Sequence, residues 1–467
     1  MKPEIIRELK ETLGPGQVLD SVVDRTTYAY DATWGEALPG VVVLPQSTED
    51  VVATLKIANR ERVPVVPRGA ASGLSGGAVP AVDGICLSLT RMNQILEISS
   101  DELIAVVQPG VVNMDLQEAL ADFGLFFPPD PASWYMATLG GNVAENAGGP
   151  RCLKYGVTKD FVLGLEVVLA DGRVMRTGGR TIKNVAGYDL TSLFIGSEGT
   201  LGVVTEIIVK LLPKPAAKTT VMGVFDEIEQ ACDAVNRVIT SGVLPLTTEI
   251  MDGDCIEAVQ RQMDYGLPSD VDAVLLIDVE GWPESLERES AIVTQACQAA
   301  GAREVRRARD EGEAEQLWAG RRAISAALSN LGDKLGEDIA VPRSNIPEMV
   351  RRIRAIGGKY ELPTPVFGHI GDGNLHPYLI CDRTDTEMME RVRKAAGEIF
   401  AAAIELGGTL TGEHGIGLAK RDYLDKALHP LAREQMLAIK RVLDPNNILN
   451  PGKVFEETDI SSPSPFD

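Results

Sequence analysis

Histidine is scarce in this chain: 467 residues contain four, at positions 369, 376, 414 and 429. Cysteine offers no pattern either. The six cysteines (86, 152, 232, 255, 297 and 381) are scattered and never form CxxC, which argues against an iron–sulfur cluster on this chain. Free thiols fit a reducing cytoplasm. Long apolar runs are missing, so no membrane span of about 18 residues is indicated. The N-terminal MKPEIIRELKETLGPG reads as a charged amphipathic helix without the apolar core of a signal peptide. A cytoplasmic location is the expectation. Basic residues are outnumbered, 45 Lys and Arg against 67 Asp and Glu, a net charge of −22. That balance argues against nucleic-acid binding, which needs a basic footprint. Finally, the chain has neither GxxxxGK[ST] nor GxGxxG; Gly196, Gly199 and Gly202 lack the tight first pair of the latter. A P-loop and a standard NAD fold are thereby disfavoured.

What is present suits two or three domains. The apolar fraction of 44% is ordinary for a globular protein. The first half alternates strands and helices. GVVVLP reads as a strand. STEDVVATLKIANRER reads as a helix, with Ser47 as N-cap and Asp50 three residues on. VPVVP is the next strand and runs into RGAASGLSGGAVP, residues 68–80. After a helical VVNMDLQEALADFG comes a long stretch of small and turn-forming residues, 127–149. FVLGLEVVLADG and GTLGVVTEIIVKLL are further strands, and LLPKPAAK, residues 211–218, reads as a linker. The second half mixes strands such as VDAVLLIDVEG with amphipathic helices such as SLERESAIVTQACQAAG and EMVRRIRAIGGKY. Small residues after a strand let backbone N–H groups approach a phosphate. Two such loops, 68–80 and 138–149, point to a large phosphate-bearing ligand.

Two of the four histidines fall in GHIGDGNLHP, residues 368–377. On a helix, residues seven apart are separated by about 10 Å along the axis. On one straight strand they face opposite ways. A hairpin with Asp372-Gly373 as a two-residue turn instead pairs 371 with 374, 370 with 375 and His369 with His376. The two imidazoles then stand about 5 Å apart at Cβ on one face, a spacing that lets them share a metal ion. Ordinary core or surface histidines are the alternative. His414 follows in GEHGIG, and His429, in ALHPLAREQ, reads as structural or exposed.

VPRGAASGLSGGAVP, ATLGGNVAENAGG, KNVAGYDLTSLFIGSEGTLG, GHIGDGNLHP, GEHGIG and NILNPGK together span residues 64–453. Their order resembles the FAD-linked oxidases of the vanillyl-alcohol-oxidase type. The nearest branch is that of the D-2-hydroxyacid dehydrogenases: the catalytic D subunit of glycolate oxidase, D-lactate dehydrogenase and D-2-hydroxyglutarate dehydrogenase. The resemblance implies an α+β fold, with a two-part FAD-binding (PCMH-type) domain at 1–215. A substrate or cap domain at 216–418 would be a sheet with helices on one face and would carry a metal site. A helical segment, 419–457, would return to the FAD domain, with a disordered tail at 458–467.

It also implies roles for residues. Pro67, Arg68, Gly69, Ala70, Ala71, Ser72 and Gly73 would wrap the FAD pyrophosphate. Thr138, Gly140, Gly141, Asn142 and Gly148 would form the second loop, with Glu198, Gly199 and Val204 near flavin or adenosine and Asn450 from the C-terminal segment. Some relatives attach FAD to a histidine of the first loop; none stands there, so FAD is expected to be non-covalent. His369, His376 and Glu413 would bind a divalent metal, Zn, Mn or Fe, and His414 would be the catalytic base. LWAGRRAIS, residues 317–325, supplies Arg321 as the carboxylate clamp, with Arg322 as its competitor, and Ser325 and Lys334 as further substrate residues. Tyr188 and Asp189 of KNVAGYDL are read as packing the domain.

The implied function is oxidation of a small D-2-hydroxy acid, D-lactate or glycolate, to the 2-oxo acid. Electrons would leave FAD for a non-NAD acceptor: an iron–sulfur subunit, an electron-transfer flavoprotein or a quinone. Peripheral membrane association through that partner and an oligomeric state are both compatible with the sequence. D-2-hydroxyglutarate is the alternative substrate. A non-catalytic FAD-binding subunit of an oxidase complex and a flavin-free metal protein are the rivals.

Overall fold

The computed structural model describes residues 1–264, 266, 268 and 270–461. The chain divides into two compact units: Met1–Gly149 with Gly156–Lys214 and Glu413–Asp467, and Pro150–Tyr155 with Pro215–Gly412. Residues 413–418, expected with the substrate domain, therefore count with the first unit, and the short 150–155 segment counts with the second.

The first unit starts with α1 (Pro3–Leu13), whose Ile5, Leu9 and Leu13 recur on one face and are buried. Its first sheet holds β1 (Val18–Leu19), β2 (Val41–Val43), β3 (Val65–Arg68) and β4 (Ile85–Ser88) in the order β1-β2-β4-β3. β2 and β3 run parallel to β4. Parallel strands are covered on both faces, which is why VVV and ICLS are unbroken apolar runs. Between β2 and β3 lies α2 (Thr48–Glu61), and the Ser47 hydroxyl accepts the Asp50 N–H at 3.3 Å as the sequence predicts. Leu55 of α2 joins Leu9, Val41, Val43 and Val65 in the core. Truncating such a residue to Ala costs about 2–5 kcal/mol.

The second sheet of this unit is fully antiparallel: β5 (Ile95–Ser99), β6 (Ile104–Val107), β7 (Val162–Val168), β8 (Val174–Gly178) and β9 (Val203–Lys210), in the order β5-β6-β9-β7-β8. Between β6 and β7 sits the short helix α3 (Leu139–Glu145), capped by the Thr138 hydroxyl. In KNVAGYDL the structure departs from the expected packing role. Tyr188 is 96% exposed, and Asp189 instead caps the turn of helix Leu190–Phe194. Val185 of the same stretch is likewise exposed.

The second unit is one antiparallel sheet with helices. Its strands are β10 (Ala217–Phe225), β11 (Thr247–Asp252), β12 (Ala273–Gly281), β13 (Glu304–Arg307), β14 (Asp333–Gly336), β15 (Ile339–Ala340), β16 (Val366–His369) and β17 (Asn374–Cys381). The order is β13-β10-β12-β11-β16-β17-β14, with β15 also on β17. Helices α4 (Ile228–Thr240), α5 (Pro283–Ala299), α6 (Glu311–Ser329), α7 (Ile346–Tyr360) and α8 (Thr386–Glu405) complete it. They do not lie on one face, as expected, but on both. Leu317, Ile324 and Leu328 of α6 join Met222, Val224, Met251 and Leu276 in one cluster. Gly223, which faces the opposite way, has Cys297 of α5 next to it. The cause is visible in β10 and β12, whose central residues are buried whichever way they point.

The C-terminal segment belongs to the first unit. It contains α9 (Pro430–Leu443), whose N-cap is His429, exposed as expected. The tail expected to be disordered from 458 is a helical turn over Glu457–Ser461; residues 462–467 lie outside the described residues. The six cysteines are thiols and none is in a disulfide. Among the described residues no helix is long and apolar enough to cross a membrane.

Candidate functional site

In the second unit the histidine motif forms a hairpin, but not with the expected register. β16 and β17 pair Phe367 with His376 and His369 with Asn374. The turn is therefore residues 370–373, and Asp372 and Gly373 direct their N–H groups to the His369 carbonyl. Within the turn only Gly373 has a positive φ, 92°, so it is not the two-residue turn the Asp-Gly pair suggested. A side chain at Gly373 would also collide with the Val341 carbonyl, so the position requires glycine. The register slips by two, and an even slip keeps side chains on their face. His369 and His376 still lie together, diagonal rather than opposite, with ring centroids 5.2 Å apart and both 6% exposed.

A buried carboxylate stands behind each histidine. Glu249 of β11 is directly opposite His369 in the sheet register. Its Oε1 lies 2.5 Å from His369 Nδ1, and its Oε2 takes Nε and Nη2 of Arg321 at 3.0 and 2.7 Å. Burial pushes the Glu249 carboxyl up, but His369 and Arg321 outweigh it and hold it below the usual carboxylate range. Asp338, fully buried, lies 3.8 Å from His376 Nδ1. It accepts from Asn374 Nδ2 (2.6 Å), Thr411 Oγ1 (2.6 Å) and the Gly412 N–H (2.9 Å), and so fixes the two residues that precede Glu413 in the chain.

The expected substrate residues share this face. Arg321 of α6 sits 4.5 Å above the Phe367 ring. Phe367 in turn stacks on Tyr378 at 5.4 Å and meets His376 at 5.5 Å. Lys334 lies over Tyr378 at 5.2 Å and donates to Ser325 Oγ at 2.7 Å; burial pushes its ammonium pKa down. Arg321, Ser325 and Lys334 thus form one band with the histidines. Arg322, the competitor, points away and pairs with Glu315 on the exposed side of α6.

In the first unit the two glycine-rich loops enclose a cavity of about 220 Å³. Of the expected cofactor residues, all but Asn450 line it, together with Glu413 and His414. The Thr138 hydroxyl caps α3 by accepting the Gly141 N–H at 3.3 Å, the Gly140 N–H goes to the Pro109 carbonyl, and both glycines line the cavity. Arg68 is spent differently from expectation: its guanidinium donates to the carbonyls of Tyr28, Tyr30 and Ala78 and closes the first loop on itself. Asn450 works from behind. Its N–H goes to the Val65 carbonyl, and its Nδ2 to the carbonyls of Gly77 and Glu198. Glu198 turns its carboxylate to the amides of Ile416 and Gly417, at 2.8 and 2.6 Å, and so anchors the GEHGIG loop of this unit.

Sequence reasoning missed Glu249, Asp338, Glu145 and Lys453. Lys453 is buried and donates to the carbonyls of Gly77 (3.2 Å) and Val79 (2.7 Å) and to Asn450 Oδ1 (2.9 Å); burial lowers its pKa to about 8. Glu145 lines the cavity. Burial first, then the charges of Glu198 and Asp31, push its carboxyl well above the usual range. A signal existed for Glu249, an acid inside the strand TTEIMD, but nothing local says what it faces.

The cradle fits a flavin nucleotide by its chemistry: small residues that let a ligand approach the backbone and a largely apolar wall. Comparison with known proteins agrees. An FAD binding domain model matches residues 39–178, and a model for the C-terminal domain of FAD linked oxidases matches residues 214–454. The chain is 46% identical over 457 residues to glycolate oxidase subunit GlcD of Bacillus subtilis, covering 97% of each chain. It is 39% identical to the Escherichia coli K12 subunit of that name, covering 89% of this chain and 83% of the other. It is 36% identical to a D-lactate dehydrogenase of Anaerostipes hadrus, covering 97% of both. Among solved structures, p-cresol methylhydroxylase shares the fold at a TM-score of 0.81, with 19% identity and 97% of each chain covered.

Proposed function

The chain belongs to the FAD-linked oxidases, and from that premise we propose that it oxidises a small D-2-hydroxy acid, glycolate or D-lactate, to the 2-oxo acid. The flavin, when bound, supplies the acceptor for the hydride that leaves C2. A divalent ion, when bound, supplies a Lewis acid that lowers the hydroxyl pKa. We assign its ligands as His369, His376 and Glu413. The donor set fits: a neutral imidazole that donates Nδ1–H to a carboxylate keeps the Nε2 lone pair for a metal.

The rest falls to side chains. Arg321 receives the substrate carboxylate; with Nε and one Nη2 hydrogen committed to Glu249, its outer hydrogens remain for a two-point grip. His414 takes the hydroxyl proton, and an imidazole titrates near the working pH. Electrons then pass to a partner: an iron–sulfur subunit, an electron-transfer flavoprotein or a quinone. The setting is cytoplasmic. The observation that carries this reading is the band of His369, His376, Arg321, Ser325 and Lys334 on one face of one sheet.

D-2-hydroxyglutarate is the second reading, and one residue favours it. Lys334, held by Ser325, is a cation placed to meet a second, distal carboxylate. The deciding experiment is anaerobic titration of the purified flavoprotein with glycolate, D-lactate, L-lactate and D-2-hydroxyglutarate separately. Selective bleaching of the flavin band by glycolate or D-lactate is expected. Bleaching by D-2-hydroxyglutarate alone would move the assignment to the second reading. No bleaching by any of them, with Zn²⁺ or Mn²⁺ added, would leave only a non-catalytic FAD-binding subunit.

A further inference from the structure

Glu249 has no role in the sequence motifs, yet it is a fully enclosed carboxylate of the histidine face, 0% exposed. Its two oxygens are divided. Oε1 faces His369 Nδ1, and Oε2 faces Arg321 Nε and Nη2. Register makes the first contact: Glu249 and His369 are a directly paired couple across β11 and β16. Helix packing makes the second, since α6 lies over this face of the sheet. Arg321 is further held by its stack on Phe367, the residue paired with Met251 two residues along the same two strands and so on the same face.

We infer that Glu249 is a positioning residue that fixes the tautomer of His369 and the orientation of Arg321 at once, so that metal binding and substrate grip depend on one buried carboxylate. The inference rests on the metal reading above. A carboxylate only accepts hydrogen bonds, so the His369 proton sits on Nδ1 and the lone pair on Nε2, the nitrogen turned away from Glu249. Arginine only donates, so it fills the other oxygen. Both demands are met by a carboxylate and cannot both be met by an amide of the same shape. In Glu249→Gln, the amide oxygen can face Arg321, and its NH₂ then faces Nδ1. His369 must accept there, its proton moves to Nε2, and the ligand nitrogen is blocked. In the flipped amide, the NH₂ meets the Arg321 donors and Arg321 is displaced. Glu249→Asp keeps the acceptor chemistry on a shorter arm.

The test uses the full-length FAD-loaded protein, with four histidines in all. Nitrogen-15 histidine NMR without added metal reads the tautomer. Calorimetry with Zn²⁺ alone and Mn²⁺ alone reads affinity. Wild type is expected to show Nδ1–H at His369. Glu249→Gln is expected to show Nε2–H, or a raised KM for the hydroxy acid if the amide flips, with metal affinity about ten- to a hundred-fold weaker in the first case. Glu249→Asp is expected to restore Nδ1–H. An Nε2–H tautomer in wild type overturns the inference without any variant. So does a Glu249→Gln protein with unchanged tautomer, metal affinity and KM. Wild type that shows Nδ1–H but binds neither ion overturns the metal reading itself and leaves Glu249 tied to Arg321 alone, which the KM of Glu249→Gln then decides.

Discussion

A Cβ on Gly69 would collide with the hydroxyl of Thr138, so the first glycine-rich loop and the cap of α3 lean on each other. The same hydroxyl accepts the Gly141 N–H. One methyl group would therefore disturb both walls of the flavin cradle. Gly69→Ala is expected to fold but to lose roughly five- to thirty-fold in FAD affinity, since one misplaced cap and loop cost on the order of 1–2 kcal/mol. The flavin-to-protein absorbance ratio after dialysis measures it; a full complement of FAD would show that the two loops move independently.

Lys453 closes that cradle from the C-terminal segment by donating to Gly77, Val79 and Asn450. Lys453→Met takes the ammonium donor from the Val79 carbonyl and Asn450 Oδ1, while the Gly77 carbonyl keeps Asn450 Nδ2. The expected loss is about 3 kcal/mol, seen as a lower urea midpoint and faster FAD release. An unchanged midpoint would mean that water replaces the ammonium.

Glu145 gives the apoprotein a pH signature. Its carboxyl is held above the ordinary value of 4.5 by burial and by Glu198 and Asp31. The folded protein therefore keeps a proton that the unfolded chain has released, and stability falls as pH rises above about 4.5 through the folded value. The slope from one such group is at most about 1.4 kcal/mol per pH unit. Glu145→Gln is expected to remove this component. Thermal midpoints of apo wild type and variant, compared from pH 4.5 to 8, should diverge in favour of the variant as pH rises; parallel curves would show that Glu145 ionises at no cost.

His414→Ala tests the base. FAD content should be unchanged, while the rate of flavin reduction by the preferred hydroxy acid falls about 10²- to 10⁴-fold. Stopped-flow absorbance at the flavin band reads it, and a wild-type rate would reassign the base.

Metal removal separates the two cofactors. Dialysis against a chelator is expected to abolish flavin reduction while the flavin spectrum persists, and Zn²⁺ or Mn²⁺ should restore it. Full activity after chelation, with no metal by mass spectrometry, would remove His369, His376 and Glu413 from the chemistry.

The hairpin shows how far the motif could be read. Asp-Gly between apolar runs located the turn, and the face shared by His369 and His376 was legible because strand periodicity is two. The register was not, because the turn packs on Val341, whose N–H goes to the Gly373 carbonyl and which is distant in sequence. Arg321 against Arg322 was undecidable from LWAGRR alone. In the structure α6 buries Leu317 and Ile324 and so turns Arg321 inward to Glu249. The helices on both faces of the cap sheet were missed because the central strands bury every residue, and such strands carry no alternation to read.

The sequence by itself determined the local chemistry: strands, capped helices, small-residue loops and the placing of rare histidines, all of which follow from backbone sterics and side-chain period. Tertiary structure alone decided the pairings that give those residues their tasks. Glu249 meets His369 only through sheet register, and Arg321 only through helix packing. Arg68 turned inward on Tyr28, Tyr30 and Ala78 because buried carbonyls demand donors. Such partners are chosen by desolvation, which depends on what the whole chain encloses and not on what lies next to a residue in sequence.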